Sequence, residues 1–266
     1  MIVRHESDGS LVMITQNDHA RLSGLFAAHW GNQQFELPRP FESVIRAAQY
    51  HDAGWLRYET KPYFKPDTRS TPNFRDVPND QTQLDSYQWA LDWLTDIDSY
   101  AGLLISKHRT GLWQSRYGVI KQPAFPQRGK LSDEIAAFIT RNEVKQEAIG
   151  GPFDQNELAV NYLLLQVWDL LSLYICTQER HKDESIAPVP TSYAGGEVAR
   201  VQLKPLSPGR IAIDPFPFDR SPFEASVVYR RLPEDRFPDA RAFEAAYFGA
   251  VPQVASFVFE PIAANT

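Results

Sequence analysis

Residues 163–174 read Leu-Leu-Leu-Gln-Val-Trp-Asp-Leu-Leu-Ser-Leu-Tyr and predict the middle of the longest helix, which spans roughly residues 156–177. Asp169 interrupts this apolar stretch, and a buried carboxylate is costly unless a cation or several hydrogen bonds compensate its charge. Four further side chains fall on the same helix face and form a polar stripe: Tyr162, Gln166, Ser172 and Cys176. The pattern indicates that Asp169 binds a metal ion, or else caps another helix or pairs with a buried arginine.

A histidine and an aspartate stand side by side in Ala47-Ala-Gln-Tyr-His51-Asp52-Ala-Gly-Trp55. The residues around them predict a helix that begins near Pro40 and ends at Gly54. An adjacent imidazole and carboxylate at the end of an apolar helix can bind one hard or borderline metal ion together. The alternative is a histidine that stabilises the helix C-terminus, with the aspartate capping the next turn.

Two histidines on the preceding helix are further candidates. His19 lies in the first turn, just after the capping residues 15–18, and His29 lies ten residues later, before Trp30. A histidine in the first turn is also compatible with a partly exposed capping residue. The residues by themselves leave the choice between His19 and His29 open.

His108 ends the apolar run 101–106 and stands between Lys107 and Arg109. It is a further metal ligand, or a catalytic group that contacts phosphate together with these two cations, or a surface histidine at a helix C-terminus. The order His, His-Asp, His, Asp on successive helices is typical of a metal site.

Composition excludes several functional classes. The 266-residue chain is long enough for one large core or for a core plus a small domain. A net charge of −6 argues against nucleic acid and against the membrane surface as partners. The single cysteine excludes an internal disulfide and indicates a reducing compartment. With no signal pattern, and an apolar stretch at 163–175 too short and polar to cross a bilayer, we expect a soluble cytoplasmic protein.

The pattern of elements predicts a mainly α fold with a small antiparallel β-region. Residues 1–184 read as a helical metal-binding domain that begins with a β-hairpin at 1–15, and residues 185–266 read as the β-region. A linker at the start of this region is marked by Pro188, Pro190, Gly195 and Gly196. The hairpin is a candidate for joining these strands, because a two-stranded hairpin alone is marginal. Three roles of the β-region stay open: covering the site, mediating a homodimer, or completing the fold. Strand-like alternation occurs at 198–203, 211–213, 226–229 and 256–259.

Residues 56–80 alternate basic and aromatic side chains, and four prolines interrupt regular structure. Long irregular segments in a domain are usually functional or disordered. The basic residues are candidates for neutralising a phosphate. Trp55, Tyr58 and Trp113 could stack on a base or enclose a ring, although packing is the commoner role of such residues.

Three strings resemble the HD-domain superfamily of metal-dependent phosphohydrolases: residues 19–28, residues 47–55 and Trp168-Asp169-Leu-Leu-Ser. The chain is also similar to a bacterial family with this core that is catalogued as a domain of unknown function. The resemblance covers roughly residues 15–180 and implies an all-helical bundle with ligands in the order His, His-Asp, Asp. The family's spacing is close to the 32 residues from His19 to His51 (51 − 19), rather than the 22 from His29 (51 − 29), and so favours His19.

Two departures from the family pattern bear on the chemistry. The lysine of the common His-Asp-Ile-Gly-Lys continuation is Trp55 here, so either Arg57 or Lys61 substitutes for it or the substrate carries no phosphate. Dinuclear members carry two histidines between the pair and the final aspartate, whereas this chain has only His108. This favours a mononuclear site or an incompletely held second metal.

The resemblance implies a hydrolase in which one divalent ion activates water against a small phosphomonoester or phosphodiester. Nitrogen and oxygen ligands suit iron, manganese, nickel, cobalt or zinc. One alternative is an HD-type oxygenase with a mixed-valence iron pair, and another is a non-catalytic, metal-stabilised binding protein. The predicted metal ligands are His19, His51, Asp52, Asp169 and His108, and the predicted catalytic residues are His108, Lys107 and Arg109.

Overall fold

The fold combines helices with a large curled β-sheet. A computed structural model describes residues 1–120, 131–196 and 198–262. The chain is 47% helical and 21% strand, and its seven strands form one mixed sheet that curls into a half-barrel. The prediction of a mainly α fold is therefore wrong, and so is the all-helical bundle implied by the resemblance to the HD-domain superfamily.

Side-chain caps set where several helices begin. Thr15 accepts a hydrogen bond from the backbone N–H of Asp18 and starts the first helix, as predicted. Asp80 and Asp154 cap two later helices in the same way. The described residues form the helices α1 (Gln16–Ala28), α2 (Phe41–Tyr50), α3 (Leu56–Glu59), α4 (Gln81–Ile97), α5 (Ser99–Trp113), α6 (Asp133–Gly150), α7 (Gln155–Thr177) and α8 (Ala240–Gly249).

The strands come from both ends of the sequence. They are β1 (Ile2–His5), β2 (Leu11–Ile14), β3 (Glu184–Pro190), β4 (Val198–Ser207), β5 (Arg210–Asp214), β6 (Phe223–Leu232) and β7 (Gln253–Pro261). Their order in the sheet is β1-β2-β6-β7-β5-β4-β3. The N-terminal hairpin pairs antiparallel with β6, with Val12 opposite Arg231. Neighbouring strands are antiparallel except β5 and β7, which are parallel.

The sequence pattern underestimates the strand content for a local reason. Pro188 and Pro190 read as a linker, yet they belong to β3. This strand lies at the edge of the sheet, where a residue without a backbone N–H is tolerated, and its register shifts between Ile186 and Val189. The strands β4 and β6 have ten residues each and extend well beyond the alternating stretches.

One hydrophobic core joins the helices to the sheet. Phe26 of α1 and Trp168 of α7 belong to the same buried cluster as Val201, Phe223 and Phe259 of the strands. The core therefore crosses the predicted division at residues 184/185. The strands of the C-terminal region complete the fold.

Helix α7 is the central element of this core. Among the described residues it is the one helix long and apolar enough to span a membrane, but 83% of the relevant window is buried inside the protein. Such burial is consistent with the core helix of a soluble protein. The helices α1, α2 and α5 pack around it and bring their polar side chains to its middle.

Candidate metal centre

All five predicted metal ligands lie together in one buried cluster. One side chain comes from the first turn of α1, two come from the residues just after α2, one comes from α5 and one from the middle of α7. The exposed fraction is at most 5% for every member: His19, His51, Asp52, His108 and Asp169.

The distances between ligand atoms are those of groups that share one ion. His19 Nε2 lies 3.2 Å from His51 Nε2 and 3.2 Å from Asp169 Oδ1. Asp52 Oδ2 lies 3.9 Å from His19 Nε2 and 3.8 Å from His51 Nε2. Ligand atoms bound at about 2.0–2.2 Å from one ion are separated by about 3–4 Å, depending on the coordination geometry. A second, overlapping group consists of His51, Asp52 and His108, whose ligand atoms lie within 4.8 Å of one another.

Hydrogen bonds outside the cluster fix the two imidazoles. His51 Nδ1 donates to the carbonyl of Ala48 at 2.8 Å. Ser172 donates its hydroxyl proton to the carbonyl of Asp169 at 2.9 Å, so His19 Nδ1 is the donor in its 2.7 Å contact with Ser172 Oγ. Both rings therefore direct Nε2 towards the centre, and this nitrogen carries a lone pair when the ring is neutral. Two such lone pairs at 3.2 Å repel each other unless a cation or a proton lies between them.

The carboxylates are also held from outside. Gln16 Nε2 donates to Asp52 Oδ2 at 3.1 Å. Arg116 donates to Asp169 Oδ2 at 2.9 Å, which leaves Oδ1 to face the histidines. The buried arginine that the sequence offered as an alternative to a metal is thus present on one oxygen, while the other oxygen belongs to the cluster.

The pKa values show that the cluster favours a positive charge at its centre. Burial by itself would lower the pKa of His19, but hydrogen bonds to Asp169 and Cys176 and the charge of Asp169 raise it to about 10. Burial would raise the pKa of Asp169, but the charge of Arg116 and the hydrogen bond to His19 hold it well below its ordinary value. A proton on His19 thus occupies the position that a metal ion would take.

Arg116 reaches Asp169 from an unusual turn. Ser115, Arg116 and Tyr117 have φ values of 53°, 55° and 52°, and Gly118 follows at 77°. Consecutive left-handed residues cost about 1–2 kcal/mol each, so the surrounding structure must stabilise them. The Tyr117 hydroxyl does so through contacts with Thr110 Oγ1 at 2.6 Å and Glu143 at 3.1 Å. Such stored strain is typical of functional sites.

Gly54 is required where the chain turns after the His-Asp pair. A Cβ atom at this position would lie 2.1 Å from the ring of Tyr87. Tyr87 in turn packs against the guanidinium of Arg109, whose carbon lies 4.1 Å from the centre of that ring and 3.8 Å from the ring of Trp113. The close approach at Gly54 thus positions a cation beside the cluster.

His108 and Arg109 both carry buried polar atoms with no hydrogen-bond partner among the described residues. These atoms are Nδ1 of His108 and Nε of Arg109. Burial and the charge of His51 hold the pKa of His108 well below its ordinary value, so this imidazole is neutral. Arg109 donates to the hydroxyl of Tyr87 at 3.0 Å, which leaves its positive charge without a carboxylate among the described residues.

A small cavity, here called the cluster cavity, borders these groups. Its volume is about 30 Å³, which is room for about two water molecules. Its walls include His19, Asp52, His108, Arg109 and Asp169, and its aromatic sides are Trp55, Phe74 and Trp113. Phe74 shows that the irregular segment after α3 covers the site.

Several other predicted site residues lie elsewhere. Lys107 lines a separate cavity together with Glu143 and Gln146. His29, the rival of His19, contacts Asp219 at 3.2 Å near the surface. Arg57 stacks on Trp89, and Lys61 pairs with Glu244 at 3.3 Å. Among the predicted basic residues, Arg109 is the one that lines the cluster cavity.

Two residues that hold the carboxylates of the cluster were not predicted from the sequence. Gln16 gave only the signal of a helix start, and nothing in its spacing indicates a contact with Asp52. Arg116 stands in Gln-Ser-Arg-Tyr-Gly, where the glycine indicates a turn but not its left-handed form. Ser172 was visible in the polar stripe of α7, three residues after Asp169.

Comparison with known proteins identifies a family without a described activity. The model of a family described as "Protein of unknown function (DUF3891)" matches residues 1–234. The chain belongs to this family. The match crosses the predicted division at 184/185 and includes the cluster, the hairpin and β6. No curated protein and no solved structure matches the chain. The family match, together with the half-barrel sheet, replaces the resemblance to the HD-domain superfamily.

Proposed function

We propose that this chain is a metal-dependent hydrolase that uses a metal-activated water against a small phosphorylated molecule. The observation that carries the proposal is the convergence of two imidazole lone pairs and two carboxylate oxygens at the separations of a single coordination sphere. The proposed ligands are His19, His51, Asp52 and Asp169. His108 is a fifth ligand or a neutral group facing the substrate.

The surroundings of the cluster support a catalytic rather than a purely structural ion. A structural site is closed by protein ligands, whereas a catalytic site keeps a position open to water or substrate. The cluster borders a cavity with room for about two waters. A bound ion would lower the pKa of such a water and polarise a phosphoryl oxygen.

Arg109 supports an anionic substrate. A guanidinium buried between two aromatic rings without a carboxylate partner among the described residues is costly in a substrate-free site. A phosphate oxygen in the cluster cavity would neutralise it. Since the donor groups of a guanidinium are arranged in a rigid fork, Arg109 would also orient the phosphate relative to the ion.

The remaining residues hold this arrangement in place. Arg116 binds the Asp169 oxygen that faces away from the histidines, and Gln16 donates to Asp52 Oδ2 itself, so both hydrogen bonds orient the ligand carboxylates. Mixed nitrogen and oxygen ligands suit iron, manganese, nickel, cobalt or zinc, and we propose a divalent ion from this group.

The first experiment is elemental analysis of the purified protein and of Asp52→Ala and Asp169→Ala. We expect about one transition-metal ion per chain in the wild type and little in either variant, because each removes one of four ligands. Asp219→Ala is the matched control, since it removes the carboxylate of the His29–Asp219 pair outside the cluster. A screen with p-nitrophenyl phosphate and bis(p-nitrophenyl) phosphate under each candidate metal then tests the reaction.

Other outcomes would redirect the proposal. Equal metal content in the wild type and both variants would exclude the cluster as the binding site. About two irons per chain, with the second at His108, would favour oxygen chemistry over hydrolysis. A tightly bound ion with no activity on either phosphate ester would leave a metal-stabilised binding protein.

We also propose a cytoplasmic location and a small-molecule partner. The single cysteine, Cys176, is buried and unpaired, as expected in a reducing compartment. The net charge of −6 argues against nucleic acid and anionic membranes. A homodimer stays a prediction, which light scattering tests directly.

A further inference from the structure

A second, larger cavity lies inside the curl of the sheet and has no part in the proposed reaction. We call it the half-barrel cavity. Its volume is about 360 Å³, within the range of about 300–1,000 Å³ that small-molecule sites occupy. Ile175, near the C-terminal end of α7, forms one wall, and the chain leaves the helix two residues later.

The floor of this cavity is a continuous apolar patch on one face of the sheet. Val12 and Ile14 contribute from β2, Val227 from β6, and Ala255 and Phe257 from β7. These residues are two apart along each strand, so their side chains point to the same face. Val227 and Ala255 are also direct cross-strand partners. An apolar group of a ligand can pack against this floor.

The polar end of the cavity carries three arginines, two of which are paired with carboxylates just outside the lining. Its lining includes Arg4, Arg180 and Arg231 but only one carboxylate, Glu179. The Glu179 carboxylate accepts hydrogen bonds from Ser7, the shorter at 2.6 Å, and so is already engaged.

Two of these arginines share one buried acid. Glu6 lies 2.9 Å from Arg4 and 3.5 Å from Arg231. Arg231 also contacts Asp8, whose side chain is 63% exposed and therefore well screened by water. Arg180 forms no ion pair among the described residues. Arg180 is thus the arginine of this end that has no close carboxylate partner, and it is open to solvent.

We propose that the half-barrel cavity binds a small carboxylate with an apolar tail. The tail lies on the floor formed by β2, β6 and β7, and the carboxylate faces Arg180 and Arg231. Apolar burial supplies affinity, and Arg180 selects an anion over a neutral or cationic compound of the same length. The site is independent of the metal, because none of its lining residues belongs to the cluster.

The test is equilibrium dialysis of the full chain against radiolabelled decanoate, with decanol and decyltrimethylammonium as competitors. We expect about one decanoate per chain and at least about tenfold weaker competition by decanol, since a charge-assisted hydrogen bond is lost. Equal competition by all three compounds, or no retained decanoate, would overturn the proposal.

Substitutions on β7 locate the site. Ala255→Trp fills the cavity and should weaken decanoate binding by about tenfold or more. Val254→Trp is the matched control, because the neighbouring side chain points to the other sheet face and is 63% exposed. Arg180→Glu, an exposed change that leaves the core intact, should weaken decanoate but not decanol. Unchanged decanoate binding in both Ala255→Trp and Arg180→Glu would place the ligand elsewhere and refute the assignment.

Discussion

Helix α7 lines both cavities, but the cluster cavity is lined by charged and polar groups, whereas the half-barrel cavity has an apolar floor. Asp169 lines the cluster cavity, and Ile175, less than two turns later, lines the half-barrel cavity. The first has about 30 Å³ among charges and imidazoles that compensate one another. The second has about 360 Å³ above an apolar floor, with its charges at the mouth.

The difference indicates which kind of ligand each cavity can hold. In the cluster cavity every charge is buried. Removing one charge therefore leaves its oppositely charged partner uncompensated in a low dielectric, and the cavity can bind only a ligand whose charge compensates it. In the half-barrel cavity Arg180 is exposed to water, and any apolar group that fits the floor is stabilised by burial. Substitutions that change charge or side-chain volume should therefore have large effects at the cluster cavity and small effects at the half-barrel cavity.

The largest expected effect is the loss of the Arg116 ion pair. Arg116→Met should lower the free energy of unfolding by about 3–5 kcal/mol in chelator, because it removes one of the two cationic partners of the buried Asp169 carboxylate. Urea unfolding measures it. The double variant Arg116→Met/Asp169→Asn should recover much of the loss, since it removes both charges. A loss as large in the double variant as in the single one would show that the cluster is not held by charge compensation.

Volume comes next. Gly54→Ala should destabilise the protein by about 1–3 kcal/mol, because the new Cβ would lie 2.1 Å from the ring of Tyr87. Ala255→Trp should cost less than Gly54→Ala despite its larger size, because the half-barrel cavity has room for it. Gly249→Ala is the control, since no heavy atom lies within 4 Å of its added Cβ. Thermal unfolding of the three variants ranks them, and the reverse order would contradict the contrast between the cavities.

Proton release distinguishes the two sites by pH. The pKa of His19 is raised to about 10 in the metal-free protein, so an entering ion must displace a proton at neutral pH. Metal affinity should therefore rise by about tenfold per pH unit between about pH 6 and 9. Calorimetric titrations in buffers of different ionisation enthalpy would count the proton. Decanoate binding should stay nearly constant over the same range, and a metal affinity equally flat would mean that His19 is not a ligand.

The smallest effect on stability is expected at the polar end of the half-barrel cavity. Arg180→Gln should change the free energy of unfolding by less than about 0.5 kcal/mol, because the side chain is exposed and forms no ion pair among the described residues. Its metal content should equal that of the wild type. A measurable loss of metal would reveal coupling between the two cavities that the structure does not indicate.

Sequence reasoning located the cluster better than the fold. Asp169 was identifiable because a carboxylate in the most apolar helix demands compensation, and the His51-Asp52 pair because its neighbours are apolar. Both arguments depend on local burial, which helical periodicity reveals. Arg116 was not identifiable, since its position depends on three left-handed residues that no local preference requires.

The fold prediction was wrong for reasons that lie outside local sequence. Short alternating stretches indicated strands, but nothing in residues 1–14 specifies pairing with β6 across most of the chain. Pro188 and Pro190 suggested a linker because proline disfavours strands, and the edge position that permits them is a property of the finished sheet. The helical motifs therefore weighed too heavily in the expectation of an HD-type bundle.

The pairing of the N-terminal hairpin with β6 also determines how the chain can be assembled during its synthesis. Met13 lies opposite Arg230, a separation of 217 residues (230 − 13). The hairpin leaves the ribosome long before β6 and stays without this neighbouring strand until β6 emerges. Such non-local pairing slows folding and exposes strand edges to aggregation. A ribosome stalled before residue 223 should therefore carry a nascent chain that depends on chaperones, whereas the same chain extended past β7, which pairs with β6 and β5, should not.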